Sequence, residues 1–193
     1  MEIKEENILN AYKEGDENVK KLLHGLFPQI EFKGSSIMER IKTFEDACDE
    51  IGEGSYLYHA YETVETMWRG SKFDYKYADL LAFTKLHIIV AALNEGWQPT
   101  FGEDEMRWYP YFTLWTKEEF KEKSSEWKNE NSLVQLDNYV TKYECLSYTY
   151  TAMVSHSELI NHHLYLKSEE LAEYCGKQFI ELWADYLLPL IAY

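Results

Sequence analysis

Cysteine is scarce in this chain of 193 residues, and long apolar runs are absent from it. Its three cysteines, Cys48, Cys145 and Cys175, lie far apart and form no CxxC pair. Disulfide scaffolds and zinc knuckles need paired or closely spaced cysteines, so neither is expected. The longest uninterrupted apolar run covers residues 88–93, whereas a membrane-spanning helix needs about 20 apolar residues. The sequence therefore predicts no membrane partner.

Basic residues are also in short supply. The chain has 19 lysines and arginines against 34 acidic residues, which gives a net charge of −15 and a pI near 4.8. The negative charge is spread evenly, with net charges of −5, −4 and −6 over residues 1–50, 51–107 and 108–193. Proteins that bind nucleic acid or anionic membranes present a basic patch. We therefore expect no nucleic-acid partner.

The start of the sequence has neither the basic nor the apolar segment of a signal peptide. Free cysteines suit a reducing compartment, so the sequence predicts a cytoplasmic protein. With 46% hydrophobic residues, the chain is long enough to bury one core. We expect a single domain over residues 1–193, with residues 1–33 as a candidate peripheral helical element.

Periodicity and end signals predict several helices. Apolar spacing indicates helical segments on both sides of Gly15, and Ser36 with Glu39 has capping-box spacing for a helix that Gly52 ends. A short helix is expected over 59–68, followed by an irregular loop. Residues 78–95 contain no glycine or proline and are apolar around most of the helix, which predicts a central helix ended by Gly96.

The second half of the sequence changes character. Residues 107–115 are rich in aromatic residues and favour a strand, which Pro110 places at a sheet edge or beside a bulge. Thr116 with Glu119 predicts another helix start, residues 121–132 a solvated loop, and 139–153 and 164–166 two more strands. Ser168 caps a C-terminal helix whose apolar face includes Phe179 and Trp183. The predicted fold is α+β, with a helical N-terminal half, a small antiparallel sheet, and the C-terminal helix packed on the sheet.

Four stretches resemble a family of small uncharacterised proteins encoded in gut bacteria and their temperate phages. They are residues 40–48 (RIKTFEDAC), 88–97 (IIVAALNEGW), 107–111 (RWYPY) and 168–185. The resemblance covers most of residues 37–188 and is weakest over 121–163. It implies a mobile-element origin, and it implies no activity or site because the family has none assigned.

Three groups of side chains have the chemistry of metal or catalytic sites. His156, His162 and His163 lie near Glu158, with Cys145 upstream; His59 shares a helical face with Glu62 and Glu65; and Lys85 and His87 interrupt the central helix. None has the spacing of a known zinc, di-metal or nucleophile motif. Surface or structural roles therefore explain these residues better, and we expect neither a metal nor a cofactor.

Aromatic residues are plentiful, with 16 Tyr, 6 Trp and 9 Phe. Tyr, Trp and Arg dominate the energetics of protein interfaces. The candidate binding residues are Arg107, Trp108, Tyr109, Tyr111, Trp115, Tyr148 and Tyr150, with Arg107 as a polar anchor. The alternative is that they pack against Trp183 and Phe179 in the core, and we expect most to be buried and the rest to form one patch.

The preferred hypothesis is a non-enzymatic binding or assembly protein that contacts another protein or its own copy. The alternative is an enzyme or small-ligand binder with a pocket between the central helix and the sheet. Its candidate residues are His87, Lys85 and the 156–163 histidine group. Exposed aromatic side chains favour the first hypothesis, and a cleft lined with titratable groups favours the second.

Overall fold

The structure is a computed structural model that describes residues 4–15, 17–28, 30, 36–71, 77–154 and 162–188. It divides into two compact units, Met1–Arg40 and Ile41–Tyr193. The first contains helices α1 (Glu5–Glu14), α2 (Glu17–Leu26) and α3 (Ile37–Arg40). The two helical segments predicted around Gly15 are thus confirmed.

Contacts between α1 and α2 form the small core of the first unit. Ile8 and Tyr12 of α1 are buried there, and four partly buried side chains pack against them: Leu9, Leu23, Phe27 and Ile30. Both helices are amphipathic, so each turns one apolar face to the other.

The helix predicted from Ser36 to Gly52 is two helices instead. Ser36 Oγ accepts from the backbone N–H of Met38, and α3 ends at Arg40. Helix α4 (Phe44–Ile51) then begins with a capping box of its own, in which Thr43 and Asp46 accept each other's backbone N–H at 3.1 and 2.8 Å. The pair Thr43 and Asp46 therefore starts a new helix at Phe44. The sequence analysis missed this start because aspartate stands where a capping box usually has glutamate.

Helices α5 (Tyr56–Gly70) and α6 (Ala78–Leu93) follow. The central helix is confirmed: Leu86, Ile88, Ile89 and Leu93 of α6 are fully buried, and Gly96 adopts φ 85° just past its end. Helix α5 is longer than predicted because Ser55 caps it before Tyr56. Most of the loop expected after α5 lies outside the described residues.

Three antiparallel strands form the sheet: β1 (Arg107–Trp115), β2 (Leu133–Gln135) and β3 (Cys145–Val154), in the order β1-β3-β2. Between β1 and β2 lie α7 (Lys117–Glu122), with the predicted Thr116 capping box, and α8 (Ser125–Glu130). The predictions of a loop over 121–132 and of a strand over 164–166 were wrong. A 3-10 turn (His162–Leu164) and a single bridge from Leu166 to Trp108 occupy the latter region.

Pro110 lies on the outer strand β1, as its missing N–H predicted, and a bulge follows at Tyr111 and Phe112. Trp108 exchanges both backbone hydrogen bonds with Leu166, on the side of β1 away from β3. Backbone groups two residues apart point to the same side of a strand. At position 110 an N–H group would therefore point away from β3. Because proline lacks only this group, Pro110 removes no hydrogen bond between β1 and β3.

The C-terminal helix is confirmed in position but is not continuous. It consists of α9 (Glu169–Gln178), capped by Ser168, and α10 (Ile180–Leu187), with Phe179 between them at φ −112° and ψ 30°. Leu171, Cys175, Phe179 and Trp183 are all buried, as the apolar face predicted. Both helices pack on the sheet, which confirms the α+β class.

Gly176 marks the closest approach of α9 to the sheet. A Cβ atom at this position would lie 2.7 Å from Pro110 Cβ and 2.9 Å from Tyr148 Cδ2. We predict that Gly176→Ala lowers the free energy of unfolding by about 1–2 kcal/mol, because overpacking outweighs the gain in helix propensity of about 1 kcal/mol. Denaturant titration measures the change.

Gly70→Ala is the matched control, because a Cβ atom at Gly70 at the end of α5 would meet nothing within 4 Å apart from its chain neighbours and the backbone of its own helix. Its stability should stay within about 0.5 kcal/mol of the wild type. Equal or greater stability of Gly176→Ala would show that α9 does not pack this closely on β1.

Candidate functional site

One face of the sheet carries the exposed side chain of Tyr150 beside the partly exposed Tyr111 and Trp115. Alternation along β1 puts Tyr111, Thr113 and Trp115 on the same face. Residues of β3 contact them across the sheet. We call this set the outer aromatic face: Tyr111, Thr113, Trp115, Ser147, Thr149 and Tyr150. The opposite face packs on α9 and α10, where Phe112, Leu114 and Leu146 meet Ile180 and Ala184.

A stacked tyrosine pair forms one end of the outer aromatic face. The rings of Tyr111 and Tyr150 are nearly parallel, 5° apart, with centroids separated by 5.1 Å. Tyr150 is 53% exposed. The bulge leaves Thr149 as an extra residue of β3, and two consecutive side chains then face the same side of the sheet. The pair therefore presents an open aromatic ring beside a hydroxyl group.

Two tryptophans form the other end. Trp115 donates its indole N–H to Ser147 Oγ at 2.8 Å, and its ring meets that of Trp127 of α8 edge-on at 5.4 Å. The Lys123 ammonium lies 3.8 Å from the Trp115 ring centroid and 4.9 Å from that of Trp127. Between the two ends, the hydroxyls of Thr113 and Thr149 are 2.6 Å apart. The face is thus aromatic at both ends and polar in the middle.

The other predicted binding residues lie elsewhere. Trp108 falls on the opposite face of β1 from Tyr111 by alternation, and its partner across the sheet is Met153. Tyr148 lies against α9 beside Gly176. Tyr109 is buried, with its ring 5.4 Å from that of Trp183, and burial raises the pKa of its hydroxyl. Alternation puts Arg107 and Tyr109 on the same side of β1 as Tyr111, and the Tyr109 ring is 6.0 Å from that of Tyr111, but both residues are buried. Of the seven candidates, Tyr111, Trp115 and Tyr150 therefore form the accessible part of this side.

Arg107 is fully buried and is not the exposed anchor that the sequence suggested. Its guanidinium lies 4.6 and 5.0 Å from the ring centroids of Phe101 and Tyr165, and its Nε is 3.7 Å from Glu105 Oε1. Burial raises the pKa of Glu105, but hydrogen bonds from Thr100 and Phe101 and the charge of Arg107 lower it overall. The ion pair and the two rings replace the hydration that the guanidinium loses on burial. The role of Arg107 is therefore structural.

Histidines from two distant parts of the sequence form a second cluster. His87 of α6 and His163 have ring centroids 4.7 Å apart, and His162 and His163 are 3.8 Å apart. Burial, and then the nearby imidazoles of His163 and His162, lower the pKa of His87 to about 4. The pKa of His163 is lowered for the same reasons. The sequence had assigned His87 and the 162–163 pair to separate candidate sites.

The remaining titratable candidates have structural partners. His59 Nδ1 is 3.4 Å from Glu62 Oε2 on the surface of α5, and Glu65 accepts a hydrogen bond from Tyr61. The Lys85 ammonium lies 5.2 Å from the Phe44 ring. His156 and Glu158 lie outside the described residues. Within the described ranges, no three His, Cys, Asp or Glu side chains are arranged to hold a metal ion.

The alternative hypothesis placed a pocket between α6 and the sheet, and side chains of α10 lie in this region. Trp183 lies 5.4 Å from the rings of both Tyr109 and Phe112 of β1. Tyr186 lies 5.8 Å from Phe83 of α6. The central helix and the sheet are therefore separated by a layer of aromatic rings, and the outer aromatic face is the better candidate site.

Comparisons with protein-family models, curated proteins and solved structures found no match. In the parts of the chain that the structure describes, no helix is both long and apolar enough to cross a membrane. The arrangement of the side chains themselves is therefore the basis for a functional assignment.

The histidine cluster predicts sensitivity to acid. The pKa of His87 is about 4 in the folded protein, below the ordinary 6.5, so the unfolded chain binds the proton first as the pH falls. The His87 imidazole therefore lowers the free energy of unfolding as the pH falls from 6.5 to 4, by up to about 3 kcal/mol, and has no such effect above pH 6.5. We predict that His87→Gln removes this part of the loss, measured by urea unfolding at pH 7.5 and 4.5.

His59→Gln on the exposed surface of α5 is the control, and its loss of stability between the two pH values should equal that of the wild type. The comparison uses the difference in the free energy of unfolding between pH 7.5 and 4.5. A substitution that destabilises the protein equally at both pH values therefore does not affect the result. An unchanged pH dependence in His87→Gln would refute the proton linkage.

Proposed function

We propose that this protein is a non-enzymatic binding module that docks a partner protein on its outer aromatic face. The observation that carries the proposal is the stacked pair of Tyr111 and Tyr150, in which Tyr150 is 53% exposed on β3. Tyrosine and tryptophan provide large contact areas at a low cost in side-chain entropy. The threonine hydroxyls between the two aromatic ends would supply hydrogen bonds to the partner.

The docking uses side chains and not an added strand. A peptide that extends a sheet pairs with the free N–H and C=O groups of the edge strand. At β1 that edge lacks a donor at Pro110, and at Trp108 it is already bonded to Leu166. The edge thus resists pairing, while the face beside it stays open to side-chain contact.

Charge favours a partner with lysine or arginine at the contact. The net charge of −15 attracts a positively charged surface and disfavours nucleic acid. It also opposes two copies of the chain meeting face to face. Lys123 already lies over Trp115 and Trp127, and the exposed ring of Tyr150 offers a similar position to a cation of the partner.

Tyr150→Asp tests the proposal, with Tyr56→Asp as the matched control because Tyr56 of α5 is also an exposed tyrosine, at 70% against 53% for Tyr150. Immobilised wild-type protein, each variant, and Tyr150→Phe are compared as baits in an extract of the source cells. We predict that a captured protein is retained by Tyr56→Asp and Tyr150→Phe but lost with Tyr150→Asp. With that protein purified, loss of the ring should weaken affinity at least about 30-fold, the level of an interface hot spot.

The affinity should also fall as salt is added, because screening weakens attraction between opposite charges. Identical capture by the Tyr150→Asp and Tyr56→Asp baits would refute docking on the outer aromatic face. Affinity that is lost with the ring but is independent of salt would refute only the cationic character of the partner.

A further inference from the structure

Two tryptophan rings from different elements hold one ammonium group. Lys123 Nζ lies 3.8 Å from the ring centroid of Trp115 on β1 and 4.9 Å from that of Trp127 on α8. The two rings are inclined at 77° to each other, so they form two walls of a corner. Lys123 takes part in none of the ion pairs found among the described residues. The aromatic rings are therefore its main contact.

A carboxylate within sequence reach does not hold this ammonium group. Glu119 precedes Lys123 by four residues, a spacing at which glutamate and lysine commonly pair. Glu119 Oε2 instead accepts hydrogen bonds from the backbone N–H and the hydroxyl of Thr116, at 2.9 and 2.8 Å. Lys123 is half-buried, and attraction of a cation to a tryptophan ring increases as the cation loses water. The corner thus has the properties of a cation site.

Lys123 is placed where it can leave the corner. It is the residue that ends α7, and Ser124, which caps α8, follows it directly. Both helices have six residues, and neither contains a buried residue. Withdrawal of the Lys123 side chain therefore disturbs no core packing.

We propose that Trp115 and Trp127 form a binding site for the ammonium group of a lysine, and that Lys123 fills this site in the free protein as an internal competitor. The corner already holds a lysine ammonium, and the net charge of −15 attracts another. Its external occupant is a lysine of the partner protein; this step rests on the proposed docking, because Trp115 is one end of the outer aromatic face. Displacement or neutralisation of Lys123 opens the site and strengthens docking.

Titration with n-butylammonium, which reproduces the end of a lysine side chain, tests the site without a partner. The full chain carrying Lys123→Ala is titrated at constant ionic strength, and the indole N–H signals of Trp115 and Trp127 are followed by NMR. We expect saturable shifts with a Kd of about 10–100 mM. Binding to the wild type should be about tenfold weaker, as for a site that is vacant in about a tenth of the molecules. Adding Trp127→Leu to Lys123→Ala should abolish the saturation.

Lys128→Ala is the matched control, because Lys128 lies over a single ring, that of Phe120, at 4.4 Å. This variant has the same net charge as Lys123→Ala and should bind n-butylammonium as the wild type does. n-Butanol, which has the same carbon chain without the charge, should give no saturable shift. Lys123→Gln removes the charge but keeps a long side chain, and it should also bind n-butylammonium more tightly than the wild type.

The site is refuted if neither Lys123 variant shows saturable shifts, if the wild type binds as tightly as they do, or if n-butanol acts like n-butylammonium. With the captured partner purified, Lys123→Ala should bind it up to about tenfold more tightly than Lys128→Ala. Equal affinities would overturn the partner's lysine as the occupant. Capture that does not depend on Tyr150 would refute docking on the outer aromatic face but not this site, since the n-butylammonium titration needs no partner.

Discussion

Within residues 41–71, 77–154 and 162–188, the arrangement of the sheet and the helices depends on the burial of one indole ring, that of Trp183. It is completely inaccessible to solvent and contacts Tyr109 and Phe112 of the edge strand on one side. Tyr186, one turn of α10 further on, contacts Phe83 of the central helix. One turn of α10 thus connects the sheet to α6, and no direct approach of α6 to the sheet is needed. The Tyr109 and Trp183 rings meet edge-on at 81°, and the other two pairs are tilted by 37°. These ring contacts orient the sheet on the helices.

Burial on one face of β1 determines what the other face presents. Phe112 and Leu114 pack against α10, and alternation turns their neighbours Tyr111, Thr113 and Trp115 to the opposite side. The bulge in β3 adds Thr149 to that side, and Trp127 and Lys123 close it beyond Trp115. The outer aromatic face is therefore a direct result of the core packing.

The sequence predicted features that depend on neighbouring residues and missed those that depend on distant ones. Periodicity and capping chemistry located α6, the Thr116 helix start and the Ser168 cap, because each is decided within one or two turns. Burial of Arg107 requires Phe101, Glu105 and Tyr165 to surround it, and no local pattern encodes that. His87 and His163 are likewise joined only by the packing of α6 against the 3-10 turn. The break at Phe179 interrupts an apolar stripe that is continuous in sequence, so periodicity alone predicted one helix.

The small size of the outer aromatic face limits the strength of any contact it makes. From Tyr111 to Trp115 the strand spans about 13 Å, which restricts the contact to a few side chains and makes a single docking event weak.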